Sequence, residues 1–344
     1  MKRIPIYLLL ILSMAACKQK AAEGKLESLE AGQQSAAGAV SVERLDPRLD
    51  EIIAPGVLPE IVADSFNWSE GPLWLPEEQL LIFSDVPENT VYQWSEHSGL
   101  KIYLNPSGYS DTLRRGGETG SNGLLRDPAG RLVLCQHGDR RMARMDAPLD
   151  NPEPKFITLA DKWQGKRFNS PNDAVYNSKG ELFFTDPAYG LEFRWEDPKR
   201  EIDFTGVFKL NTDGDVILLI DSLQAPNGIG LSPDETRIYV ASSGKDASLY
   251  EYSISDDGSL RDGKLFFDAR ELQKSRRGSP DGLVVREDGI IFASGPGGIL
   301  VLTPEAEHLG TILTGQATSN CTLDSDNSYL YITADMFLMR IRLN

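Results

Sequence analysis

The chain has 344 residues, and 40% hydrophobic with 25% charged residues is the composition of a globular protein. Its 35 Lys and Arg stand against 51 Asp and Glu, a formal charge of −16 that repels phosphate backbones and anionic head groups and excludes nucleic acid as an expected partner. Three histidines and three cysteines, none at paired ligand spacing, exclude a dedicated zinc module.

The first residues, "MKRIPIYLLLILSMAAC", place Lys2 and Arg3 before an apolar run that ends in Ala15 and Ala16. That pattern is a secretory signal, and its apolar core is short for a membrane-spanning helix. The Ala-Ala-Cys ending resembles a bacterial lipobox. Residues 1–16 are therefore expected to be a lipoprotein signal peptide and Cys17 the lipidated N-terminus, with Lys18 a cue for the outer membrane. Residues 17–54, rich in Ala, Gly, Gln, Ser and charge, read as a flexible tether, and 55–344 as the folded domain. The expected location is the periplasmic face of the outer membrane, with the lipid as the sole membrane contact.

The folded part repeats one pattern six times: a polar lead, a short apolar run, a turn rich in Asp, Gly, Pro, Asn or Ser, and a second apolar run. The copies start "SEGPLWLPEEQLLIFSD" at Ser69, "SNGLLRDPAGRLVLCQHG" at Ser121, "SPNDAVYNSKGELFFTDP" at Ser170, "APNGIGLSPDETRIYVASS" at Ala225, "SPDGLVVREDGIIFASG" at Ser279 and "SNCTLDSDNSYLYITAD" at Ser319. A third strand-like piece follows each, and helical periodicity is nearly absent. A spacing of roughly 40 to 55 residues is the scale of propeller blades, so the predicted fold is all-β, a six-bladed β-propeller. The apolar stretch "VLPEIVADSF" before the first copy is expected to supply an outer strand to the last blade and so close the ring. Cys135 and Cys321 lie in strand-like runs, where buried free thiols are the simpler reading and a disulfide the alternative.

In such a fold the residues before each first strand gather at one mouth of the central channel. Here they are Glu70, Asn122, Asn172, Asn227, Asp281 and Asn320, all carboxylates or carboxamides. A ring of side-chain oxygens suits hard cations, calcium above all, although Asn-Gly and Asp-Gly are also ordinary turn formers. The ends of the second strands form another ring, Asp85, His137, Asp186, Ser242, Ser294 and Asp335, of which His137 and Asp186 can do chemistry at the pocket wall. For His137 a structural hydrogen bond is an equal alternative.

The phrases "EGPLW", "SNGL", "SPNDAV", "FFTDPAYGL", "PNGIGLSPDE" and "SPDGL", in this order and spacing, resemble the family of the senescence marker protein (regucalcin), gluconolactonase and luciferin-regenerating enzyme, nearest to its bacterial gluconolactonase-like branch. The resemblance implies a metal-dependent lactonase acting on a sugar-acid lactone or similar cyclic ester. It implies that Glu70, Asn172, Asn227 and Asp281 hold one divalent cation, calcium first, with magnesium, manganese or zinc as alternatives. Asp281 is then the implied general base, with Asp173 or Asp186 acting through water as alternatives. Asn122, His137 and Asp186 fall on the substrate side, and Asn320 of the first ring is grouped with them. Animal members carry an arginine shortly before the Asn-Asp pair, where this chain has Ser170 and Pro171, with Arg167 further back. A small-molecule lactone as partner and a monomeric chain complete the expectation. Two other readings stay open: a non-catalytic carbohydrate- or protein-binding propeller with a structural cation, and a phosphotriester or other ester hydrolase on the same metal ring.

Overall fold

The computed structural model describes residues 40–113 and 115–344. The expected signal peptide, Cys17 and most of the expected tether lie outside the described residues.

Six antiparallel sheets of four or five strands follow one another along the chain, with a two-stranded hairpin, Lys162–Trp163 and Lys166–Arg167, between the second and third. In five of the six, four consecutive strands are laid side by side in sequence order, inner to outer. The inner strands are Ser69–Leu75, Ser121–Arg126, Ala174–Tyr176, Pro226–Leu231, Leu283–Val285 and Thr318–Leu323. Each touches the inner strand of the next blade, and the sixth returns to the first, so the ring is closed. The predicted six-bladed propeller is the observed fold.

Second strands such as Leu80–Asp85, Leu132–Gln136 and Leu182–Asp186 are covered on both faces by neighbouring blades, which is why they read as unbroken apolar runs rather than alternating ones. Between blades 2 and 3, Val133, Cys135, Met142, Phe168, Phe184 and Phe208 form one core, and between blades 6 and 1 Phe66, Phe83, Trp94 and Tyr331 form another. Cys135 and Cys321 are buried free thiols. The sixth blade takes its outer strand, Glu60–Asp64, from ahead of the first blade and pairs it with Phe337–Arg342, the closure expected from "VLPEIVADSF".

One boundary differs from expectation. The folded chain begins before residue 55: Ser41–Arg44 adds a fifth strand to the outer edge of blade 5 against His308–Leu313, and a 3-10 turn, Pro47–Glu51, follows it. Leu49, Ile52 and Ile53 are buried, and the Asn344 amide donates to the Ile52 carbonyl at 2.9 Å. Three apolar side chains in a polar stretch are too sparse to mark an element, yet the strand ahead of them covers an edge that would otherwise be open. Among the described residues no helix is long and apolar enough to cross a membrane.

Candidate active site

The lead residues are placed by breaks in the ladder. Pairing slips between Glu70 and Leu73, between Ser121 and Leu124, and between Pro226 and Ile229, while in blades 3 and 5 regular pairing starts only at Ala174 and Leu283. Such irregularities re-aim side chains that the pleat would otherwise send to one sheet face or the other. The glycine after the lead residue has a reason beyond turn chemistry. A Cβ on Gly71 would stand 2.1 Å from the Asn122 carbonyl oxygen, and one on Gly228 equally close to that of Asp281. Only glycine lets neighbouring blades meet this closely at the axis.

Glu70, Asn122, Asn172, Asn227 and Asp281 consequently line one pocket of about 330 Å³. The first four are buried and Asp281 is half-buried. Their amide nitrogens are tied back: Asn227 Nδ2 donates to Ser243 Oγ at 3.0 Å, which donates in turn to the Pro280 carbonyl at 2.7 Å. Asn172 Nδ2 lies 3.4 Å from His137 Nε2 and donates to it, which leaves the ring proton on Nδ1, 3.6 Å from Glu118 Oε2. With the nitrogens engaged, the two carboxamide oxygens are turned away from these partners. Asn122 Oδ1 and Asp281 Oδ1 are buried without a hydrogen-bond partner, an arrangement that costs free energy unless something else satisfies them.

The electrostatics agree with a site built for positive charge. Burial raises the Glu70 carboxyl to about 8, against the pull of the Gly71 amide, and the charges of Asp173 and Glu118 add to the rise. Burial also lifts Asp281 well above the carboxylate range, reinforced by Glu70, Asp173 and Glu118. Among the described residues no three of His, Cys, Asp and Glu gather as a metal cluster, so any cation here takes carboxamide as well as carboxylate oxygens. Oriented oxygens, two of them orphaned, without thiolate or a free imidazole nitrogen in the ring, fit a hard divalent cation.

Other expected site residues fall elsewhere. Asp186 does not reach the pocket: its Oδ2 accepts from the Asn169 amide at 2.8 Å and its Oδ1 from the Ser170 amide at 2.7 Å, and burial pushes it up to about 7. Asp85 does the same for the amides of Asn67 and Trp68, so these second-strand carboxylates fasten the loop ahead of their own blade. Asn320 and Asp173 line a separate cavity of about 360 Å³ along the inner strands. Asn320 hydrogen-bonds Glu70 and Asp173, and its Oδ1 accepts from the Cys321 amide at 2.8 Å, which removes it from the expected substrate wall. Burial raises Asp173 to about 7. His137 is fully buried behind Asn172 and orients that ligand candidate instead of lining the pocket. Arg167 donates to the Asp139 carbonyl at 2.6 Å and takes no part.

Residues the repeat pattern did not reveal complete the wall. Glu118 comes from the segment joining blades 1 and 2, and Tyr189 and Arg194 from the one after the second strand of blade 3. Arg194 approaches Glu118 at 3.5 Å and sits over the Tyr189 ring at 5.8 Å. The only sequence signal was length, since these connections exceed their counterparts in other blades.

Residues 68–335 match the family described as SMP-30/Gluconolactonase/LRE-like region. A gluconolactonase of Zymomonas mobilis is 36% identical over 308 residues, spanning 88% of this chain and 85% of its own. The solved gluconolactonase of Xanthomonas campestris superposes with a TM-score of 0.75 at 28% identity, over 90% of this chain and 98% of that one. Regucalcin of Agrobacterium tumefaciens, a calcium-binding protein, shares the fold with a TM-score of 0.64 at 16% identity, over 83% of this chain and 95% of its own.

Proposed function

Because the chain belongs to the SMP-30/gluconolactonase/LRE-like family, we propose that it is a lactonase that hydrolyses the cyclic ester of a sugar acid in the pocket at the channel mouth. The observation that carries the reading is the convergence of Glu70, Asn122, Asn172, Asn227 and Asp281, from five blades, on that one pocket. Glu70, Asn172, Asn227 and Asp281 would hold a divalent cation, calcium by the all-oxygen donor set, while Asn122 faces substrate. Such a cation supplies Lewis-acid polarisation of the lactone carbonyl, worth several kcal/mol at the transition state.

The chain's own groups do the rest. A water adds to the carbonyl carbon, Asp281 takes its proton, the ring C–O bond breaks, and the proton passes to the departing ring oxygen to give the open hydroxy acid. Asp281 is favoured over Asp173 because it lines the pocket, whereas Asp173 opens on the inner cavity. Asp186, with both oxygens engaged by backbone amides, is no longer assigned as a base. Outside the described residues, Cys17 would carry the lipid that holds the enzyme on the periplasmic face of the outer membrane, and Cys17→Ala should move it to the soluble fraction.

Proton release from a panel of aldonolactones, with calcium present and after chelation, tests the activity. Hydrolysis that is lost on chelation and in Asp281→Asn is expected. A protein that binds calcium yet accelerates no lactone above buffer would overturn the lactonase reading.

A further inference from the structure

A second concavity, a groove of about 860 Å³, runs from the pocket across the ends of blades 3 and 4 and shares Tyr189, Ser243 and Gly244 with it. Trp195 forms part of its wall and meets Tyr189 edge to face, with ring centroids 4.8 Å apart at 88°. That platform is fixed. Arg200 donates to the Trp195 carbonyl at 2.9 Å, the Phe204 carbonyl at 3.3 Å and Asn169 Oδ1 at 3.3 Å, stitching the connection onto the blade. Facing the groove are Asp203, Asp221, Gln224 and Lys245, all exposed, whose side chains make no hydrogen bond or ion pair among the described residues.

A half-exposed indole beside unengaged carboxylate, amide and ammonium groups matches the two sides of a pyranose ring. Its C–H face packs on an aromatic surface, and its hydroxyls need donors and acceptors at the edge. The pocket of about 330 Å³ holds one small lactone, and the groove beside it is larger than that lactone requires. We propose that the groove is a glycosyl subsite and that the enzyme is selective for aldonolactones carrying a further sugar residue, the lactone in the pocket and the attached pyranose against Trp195. This inference rests on the lactonase reading. The chemistry is unchanged: water opens the lactone and the glycosidic bond survives. Binding energy from the non-reacting sugar then acts on the reacting centre.

The experiment compares cellobiono-δ-lactone with glucono-δ-lactone as substrates of the cation-loaded protein, parent against Trp195→Ala and Gln224→Ala. The parent should show kcat/KM about tenfold higher for the disaccharide lactone, the value of roughly one well-made contact set. Each variant should shrink that ratio towards one. Gln224→Ala, at an exposed position, keeps the test valid if the tryptophan variant folds poorly. Equal kcat/KM on both lactones in the parent, or a ratio untouched in both variants, overturns the subsite while leaving the lactonase reading intact. Failure to open either lactone overturns the lactonase reading and this inference with it.

Discussion

Asn172 and Asn227 look alike in the sequence, yet each is turned by a different neighbour, a buried imidazole in one case and a serine hydroxyl in the other. Under the proposed assignment, His137→Ala frees the Asn172 amide to rotate and should weaken cation affinity about ten- to a hundredfold, as loss of an orienting partner does. Calorimetric titration with calcium checks this, and an unchanged Kd would make His137 a packing residue only. Asp281 carries a sharper prediction because its carboxyl is raised by burial and like charge. In the unfolded chain it loses its proton near pH 4, whereas the folded chain keeps it to higher pH. As pH rises above 4, cation-free protein therefore loses stability, the unfolded state binding fewer protons. Asp281→Asn removes that penalty. Without cation its Tm should exceed the parent's at pH 8 and the gap should narrow by pH 5, and a gap of the opposite sign would refute the account. The ring of lead residues was readable because it repeats in register. Glu118 and the contact of His137 with Asn172 were not, since each depends on a contact between segments that no repeat relates.

Elements, rather than residues, explain why the ends of the second strands stay out of the pocket. A carboxylate at the end of a second strand points to the same mouth as the lead residues, but in blades 1 and 3 the preceding loop folds over it and claims both oxygens with backbone amides. Those hydrogen bonds belong to tertiary closure, and the spacing of apolar residues holds no trace of them. The N-terminal strap was hidden for a different reason: it is one short strand and one turn anchored by Leu49, Ile52 and Ile53 amid polar residues. Leu49→Ala should cost about 3 kcal/mol, the usual range for emptying a buried leucine site. A chain begun at residue 55 loses the strap altogether and leaves the His308–Leu313 edge unpaired. It should melt lower than a chain begun at residue 40 and associate on concentration, measurable by thermal scanning and light scattering. Indistinguishable melting and dispersity would show the strap to be an ornament on the blade.

For the whole molecule, the axis is where the blades depend on one another. Four proposed ligands come from blades 1, 3, 4 and 5, so a cation at the mouth joins strands far apart in the chain. Repulsion among Glu70, Asp281, Asp173 and Glu118 works against that convergence when no cation is present. The net charge of −16 adds to the local negative field and favours cation capture. Because the unfolded chain cannot assemble this donor set, the bound cation stabilises the folded state by mass action, about 2.7 kcal/mol at a hundredfold excess over Kd. For a domain of this size that corresponds to a rise in Tm of roughly 4 °C. Thermal scans in calcium and after chelation should differ by that amount, and Asp281→Asn should abolish the difference. A shift retained in Asp281→Asn would move the cation to another site and leave the unpartnered Asp281 Oδ1 at the channel mouth without its proposed partner.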